Sequence, residues 1–304
     1  MGVEIPFVHE MHFEYGACDQ VSPLIRRVVA ENPSAFTYMG TNTYIVGRGR
    51  VAIIDPGPAI DAHVAALMRA LEGETVTHIL VTHTHSDHSP AAAPLKALTG
   101  AKTHAFGPHG AGRAQAGVKI EEDGDMAFVP DVELRHGDVL RGEGWTIECV
   151  YTPGHTSNHM SFALREEKTL FTGDHVMGWS TSIVSPPDGN MRQYMASLRL
   201  LAGRDDELYW PAHGPEIRDP QTFVRAFIAH REERERQIIA RIAAGHRRID
   251  DMVPVMYAAI DPRLYPAAAR SVLAHLTLLV EEGRVLTDGE KARLDAEYHL
   301  PDQP

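Results

Sequence analysis

The sequence predicts an α/β fold followed by a small helical part, and three observations carry that expectation. From Thr41 onward, short apolar, β-prone runs alternate with stretches of helical spacing, the pattern of strands and helices packed in layers. Several of these runs end on a Gly or Pro turn bearing a His or an Asp, which is how rigid elements present polar side chains at a sheet edge. After Asp219-Pro220 the strand signals stop and helical spacing takes over. A chain of 304 residues with 43% hydrophobic content can bury one large core and one small one, and the expected division is 1–219 and 220–304.

In chain order, the segment up to about Pro33 is poorly periodic and is assigned no role beyond covering the core. Asn42 to Val46 and Val51 to Ile54 read as two strands around the Gly47-Arg48-Gly49 turn, ending at Asp55-Pro56-Gly57-Pro58. Asp61 to Glu72 reads as a helix with Ala65, Ala66 and Leu67 inward. Val76 to Val81 is a strand, Ser89 to Thr99 a helix that Ser89 caps, Pro90 opens and Gly100 stops, and Ala101 to Phe106 another strand. Residues 107–125 carry five glycines without a period and read as a surface excursion near the substrate. Beyond Pro220, a long helix runs through Phe223, Phe227, Ile238, Ile239 and Ile242 to Gly245. A second spans about Asp251 to Ile260, and a third carries Val272, Leu276, Leu279 and Val280 on one face and stops at Gly283. Arg284-Val285-Leu286 then begins a wing strand.

The chemistry concentrates in His83-Thr84-His85-Ser86-Asp87-His88, directly after Ile79-Leu80-Val81. In an extended loop, side chains two apart point the same way, so His83 and His85 can converge on one cation while Asp87 and His88 turn towards a second. With 18 His in the chain, chance on a surface turn is the bland explanation. Three later runs count against it: Cys149 to Thr152 leads to Pro153-Gly154-His155, Thr169 to Phe171 leads to Gly173-Asp174, and Leu208 to Trp210 leads to Pro211-Ala212-His213. Cys18 and Cys149 are far apart and outside any Cys-x-x-Cys pair, so they read as reduced thiols, and metal ligation falls to His and Asp. Those ligands suit zinc, iron or manganese.

A net charge of −12 argues against a broad basic surface for duplex DNA. Residues 1–220 hold 17 Lys+Arg against 28 Asp+Glu, and residues 221–290 hold 10 of each, so the negative excess lies in the first part. Met1 to Glu10 shows no cationic segment ahead of an apolar run, and no stretch approaches the roughly 20 apolar residues of a membrane span. The expectation is a soluble cytoplasmic protein.

Taken together, Asp55, the His-x-His-x-Asp-His run, His155, Asp174 and His213 resemble the metallo-β-lactamase superfamily over residues of about 36 to 220. The resemblance implies a four-layer αββα sandwich. It also implies two divalent ions, zinc foremost with iron or manganese allowed, with His83, His85 and His155 on one and Asp87, His88 and His213 on the other. Asp174 would bridge them, Asp87 would orient the attacking hydroxide, and Asp55 would steady the histidine loop without being a ligand. The runs Tyr151 to Met160, Phe171 to His175 and Pro211 to Pro215, and the helices after Asp219, are similar to the β-lactamase-like ribonuclease branch with its small winged-helix-like appendage. Because Pro266 to Glu282 sets Arg270 and His275 against Glu281 and Glu282, that appendage is expected to be a lid, packing or homodimer element and not a DNA reader.

Two divalent ions acidify a shared water and stabilise negative charge on the attacked group, so the implied reaction is hydrolysis with a metal-bridged hydroxide as nucleophile. The resemblance favours phosphodiesters such as single-stranded RNA. One alternative is a thioesterase of the hydroxyacylglutathione hydrolase type, acting on a small molecule. Another is a nucleic-acid or protein binding module with a structural metal centre.

Overall fold

A computed structural model describes residues 3–112 and 124–302. The middle of the glycine-rich excursion therefore lies outside the described residues.

The first half of the chain forms a sheet from β1 (Asp19–Gln20), β2 (Ile25–Val29), β3 (Asn42–Val46), β4 (Arg50–Ile54), β5 (Thr75–Leu80), β6 (Lys102–Ala105) and β7 (Val132–Glu133), in that spatial order. β1 to β4 pair antiparallel and β4 to β7 parallel, with helices α1 (Asp61–Ala70) and α2 (Ala92–Thr99) as crossovers. The second sheet holds β8 (Val139–Gly142), β9 (Trp145–Tyr151), β10 (Met160–Leu164), β11 (Thr169–Gly173) and β12 (Leu208–Pro211), with helix α3 (Met191–Ala202) between the last two. Ile54, Leu80 and Tyr44 of one sheet meet Phe162, Phe171 and Trp210 of the other in a buried inner layer. α1 and α2 cover the outer face of the first sheet through Leu67 and Leu95, and α3 covers that of the second through Tyr194, Leu198 and Leu201. The result is the expected four-layer αββα sandwich.

The remaining chain comprises α4 (Pro220–Ala243), α5 (Ile249–Met256), α6 (Tyr265–Glu281) and a short hairpin of β13 (Leu286–Thr287) with β14 (Tyr298–His299). Asp219 caps α4 by accepting from the Thr222 amide, and Pro220 fills its first turn, where a missing N–H costs nothing. α4 belongs to two cores. Phe223, Val224 and Phe227 pack with α3 on the second sheet, whereas Ile238 and Ile242 pack with Met252, Leu276 and Tyr298 in the helical part.

Several local expectations need correction. The N-terminal segment is not a mere cover: Ile25, Val28 and Val29 are buried in β2, hidden from an apolar count by Arg26-Arg27. Arg26 is accommodated because its guanidinium reaches the Ala70 carbonyl and Glu74. Ala65 faces outward and His63 takes the inward place, bonded to Thr43 and the Pro56 carbonyl. α2 begins at Ala92, and the Ser89 hydroxyl donates to Asp125 at 2.8 Å instead of capping the helix. α5 starts at Ile249 and stops at Met256, ahead of the expected Ile260. Strands β8 and β10 and helix α3 were not foreseen.

Candidate metal centre

Every polar residue singled out at a strand end lies on one edge of the sandwich. Asp55 follows β4, the His83–His88 loop follows β5, His155 follows β9, Asp174 follows β11 and His213 follows β12. β11 and β12 run parallel with Gly173 opposite Pro211, which sets Asp174 beside His213. Gly173 makes the turn at φ 51°, and a Cβ there would lie 2.6 Å from His159 Nε2, so the chain can bend towards the site only at glycine.

Three overlapping groups emerge, each with ligand atoms within 4.8 Å of one another: His83, His85 and His155; His83, His88 and Asp174; Asp87, His88 and His213. In the first, Nε2 of His83 and Nε2 of His155 each lie 3.1 Å from His85 Nδ1. Proton positions follow from the outer contacts. The Thr82 hydroxyl donates to Asp55 Oδ2 at 2.8 Å, so it accepts from His83 Nδ1 at 3.0 Å. His155 Nδ1 donates to the Ile183 carbonyl at 2.6 Å. Both rings therefore aim an Nε2 lone pair inward, the tautomer that a cation needs.

The second side obeys the same rule. His88 Nδ1 donates to Asp55 Oδ2 at 3.1 Å and His213 Nδ1 to the Gly40 carbonyl at 3.2 Å. Their Nε2 atoms face Asp87 Oδ2 at 3.3 and 3.1 Å, and Asp174 Oδ1 at 3.6 and 3.3 Å. Nε2 of His88, Nε2 of His213 and Oδ1 of Asp174 are buried without a well-directed hydrogen bond. Lone pairs and carboxylate oxygens packed this closely repel unless a proton or a cation sits among them. Asp174 Oδ2 lies 3.6 Å from His155 Nε2, so its carboxylate spans both sides.

The titration behaviour agrees. Burial, with the neighbouring imidazoles, holds His83 well below the usual range, and burial chiefly lowers His85 to about 3. Burial also opposes charge on His88 and His213, but facing carboxylates overcome it, raising His88 well above normal and His213 to about 10. Asp87 and Asp174 would be raised by burial, yet the adjacent His88 and His213 hold both far below the carboxylate range. Protons on His88 and His213 thus balance the carboxylates in the cation-free protein, and divalent ions would displace them. The donor set fits two such ions.

His159 and His175 are buried beside the cluster but belong to its support. His159 Nδ1 bonds Thr152, and its Nε2 accepts from the Asp174 amide at 3.3 Å. His175 packs against Tyr194, with ring centroids 4.6 Å apart and planes tilted by 52°. Thr82 and Thr41 were missed at the sequence level. Thr41 holds Asp87 Oδ2 at 3.1 Å. A cleft of about 620 Å³ opens over the cluster, between Phe36 and Thr37 on one side, Met177 and Ile183 on another, and Arg263, Leu264 and Arg270 of the helical part. A second crevice of about 350 Å³, between α3, α4 and α6, is lined by arginines and glutamates that pair with each other and is remote from the cluster.

Residues 37–213 match the profile of the Metallo-beta-lactamase superfamily. The chain belongs to that superfamily. Residues 249–293 match the Beta-lactamase associated winged helix domain, so the helical appendage is a winged-helix domain. A lactamase-like protein of Aspergillus niger is 30% identical, covering 96% of this chain and 95% of its own. An atrochrysone carboxyl ACP thioesterase of Cryptosporiopsis sp. is 35% identical over 73% of this chain and 63% of its own. A β-lactamase domain protein from Burkholderia ambifaria shares the fold, with TM-score 0.76 at 21% identity and 96% of each chain covered. The chain is a metal-dependent hydrolase with a His/Asp cluster that could hold two divalent ions. Among the described residues, no helix is long and apolar enough to cross a membrane.

Proposed function

We propose that the protein hydrolyses thioesters of an apolar acyl group, with His83, His85 and His155 holding one divalent ion, Asp87, His88 and His213 the other, and Asp174 between them. The observation that carries this reading is the cleft. Phe36, Met177, Ile183 and Leu264 line an apolar passage to the cluster, sized for an acyl chain. The acidic balance of the chain disfavours a long polyanion, and the thioesterase relative supports the same substrate class.

Bound ions there would supply Lewis acidity and a water acidified towards neutral pH. The chain's own residues do the rest. Asp87, held through Oδ2 by Thr41, orients the attacking water and takes up its proton on the carboxylate. The water oxygen adds to the acyl carbon, the carbon–sulfur bond of that adduct then breaks, and the proton taken up by Asp87 passes to the departing sulfur. The products are a carboxylic acid and a thiol. The apolar walls hold the acyl group over the cluster.

Single-stranded RNA or another phosphodiester is the second reading, favoured by Arg263 and Arg270 at the mouth of the cleft. The deciding experiment offers the zinc- or manganese-loaded protein an aromatic or medium-chain acyl thioester and, separately, an RNA oligonucleotide. Thiol release that disappears in Asp87→Ala supports the first reading. RNA cleavage without thiol release replaces it with the second.

A further inference from the structure

We propose that Arg231, on helix α4, is a positioning residue for the metal centre and acts through the loop of residues 174–183. The inference rests on the reading of His155 and Asp174 as ligands.

Arg231 is 3% exposed, and its guanidinium donates to the Ser182 carbonyl and lies over the Tyr194 ring, 5.1 Å from the centroid. Both partners grip the loop between two ligands. The Tyr194 hydroxyl donates to the His175 carbonyl at 2.9 Å, and the Ser182 hydroxyl donates to the same carbonyl at 2.8 Å. The near end of the loop, next to Asp174, is thereby tied to its far end. The residue after Ser182 is Ile183, whose carbonyl accepts from His155 Nδ1 at 2.6 Å and so sets that ring's tautomer and orientation. A chain of contacts runs from Arg231 through Ser182 and the adjoining Ile183 to His155, and through Tyr194 to His175, the residue after Asp174.

Burying a guanidinium is costly, and Arg231 Nε has no hydrogen-bond partner among the described residues. A methionine or leucine would fill this helix position with less desolvation. Neither would place a cation over the Tyr194 ring and a donor at the Ser182 carbonyl, as the guanidinium does. α4 also continues, through Ile238 and Ile242, into the core of the winged-helix domain. The appendage is thus joined mechanically to the metal-binding loop as well as walling the cleft.

The test measures cobalt(II) binding by the full chain, followed by visible absorption, together with unfolding in chelator. The expected result for Arg231→Gln is affinity weakened about 10-fold or more, the range found when an outer hydrogen-bond partner of a ligand is lost, with an altered cobalt spectrum. Arg231→Lys, which keeps one donor, should recover part of both. If Arg231→Gln does not fold, Arg231→Lys decides in its place; weaker binding and a shifted spectrum there support the proposal. Wild-type affinity and spectrum in a folded Arg231→Gln, or in Arg231→Lys where only that variant folds, overturn it, even where the metal-free protein is less stable. His155→Ala is the control: unchanged cobalt binding there overturns the ligand reading itself, and with it this proposal.

Discussion

Replacing Asp55 by Asn should switch the protonation of both sides of the metal centre at once. Asp55 Oδ1 accepts from the Thr82 amide at 2.7 Å, while Oδ2 accepts from the Thr82 hydroxyl at 2.8 Å and from His88 Nδ1 at 3.1 Å. An Asn side chain keeps its oxygen on the Thr82 amide and turns its NH2 to the other two partners. The Thr82 hydroxyl must then accept, and its own proton passes to His83 Nδ1, now 3.0 Å away as an acceptor. His83 and His88 are both forced into the tautomer with hydrogen on Nε2, the atom aimed at the cations. The backbone tolerates the change, since position 55 sits at φ 48°, a left-handed conformation that Asn adopts more readily than most residues. Loss of an outer partner costs about 10–100-fold in affinity per ligand, or ~1.4–2.8 kcal/mol. On the proposed ligand assignment one affected histidine serves each side, so both ions should weaken. Competition against a chromogenic chelator reads each affinity, with thermal unfolding in chelator as the check on folding. A folded Asp55→Asn protein that binds two ions as tightly as wild type would refute the tautomer relay.

Elemental analysis after zinc or manganese reconstitution should find two ions per chain, with Asp174→Ala weakening both and His213→Ala mainly one; a single ion in the wild type contradicts this. Acid should destabilise the fold through His63, which burial lowers to about 4. Because the folded value lies below the unfolded one, near 6.5, His63 favours folding fully above that pH. Its contribution falls as pH drops towards 4, by about 3 kcal/mol in all. Urea midpoints of metal-free protein between pH 7 and 4 check it, and His63→Gln should flatten that slope. Phe36→Asp, which puts a charge at the 53%-exposed rim of the cleft, should raise KM for an apolar acyl thioester about 10-fold and leave metal content unchanged. A fragment ending at Asp219 should aggregate or unfold early, since it strips Phe223, Val224 and Phe227 from the second sheet's outer core; a stable, monomeric fragment would show that α4 is dispensable there.

The sequence by itself determined the layered α/β architecture and the identity of the clustered side chains. Short apolar, β-prone runs mark β3 to β6, helical spacing marks α4 beyond Pro220, and a strand that stops at Gly or Pro exposes whatever residue follows, so His155, Asp174 and His213 stood out in the sequence alone. It was silent on β2, where Arg26-Arg27 breaks the apolar run and only a partner 48 positions away, Glu74, makes burial tolerable. The tautomers, the cleft and the reach of Arg231 were equally out of view. Each depends on contacts between segments far apart in the chain, Ile183 on His155, Thr82 on Asp55, Leu264 facing the cluster. Local propensity carries information over a turn or a strand, whereas the direction in which a histidine points its lone pair is decided by whichever carbonyl or carboxylate the fold brings to its other nitrogen, and only tertiary packing chooses that neighbour.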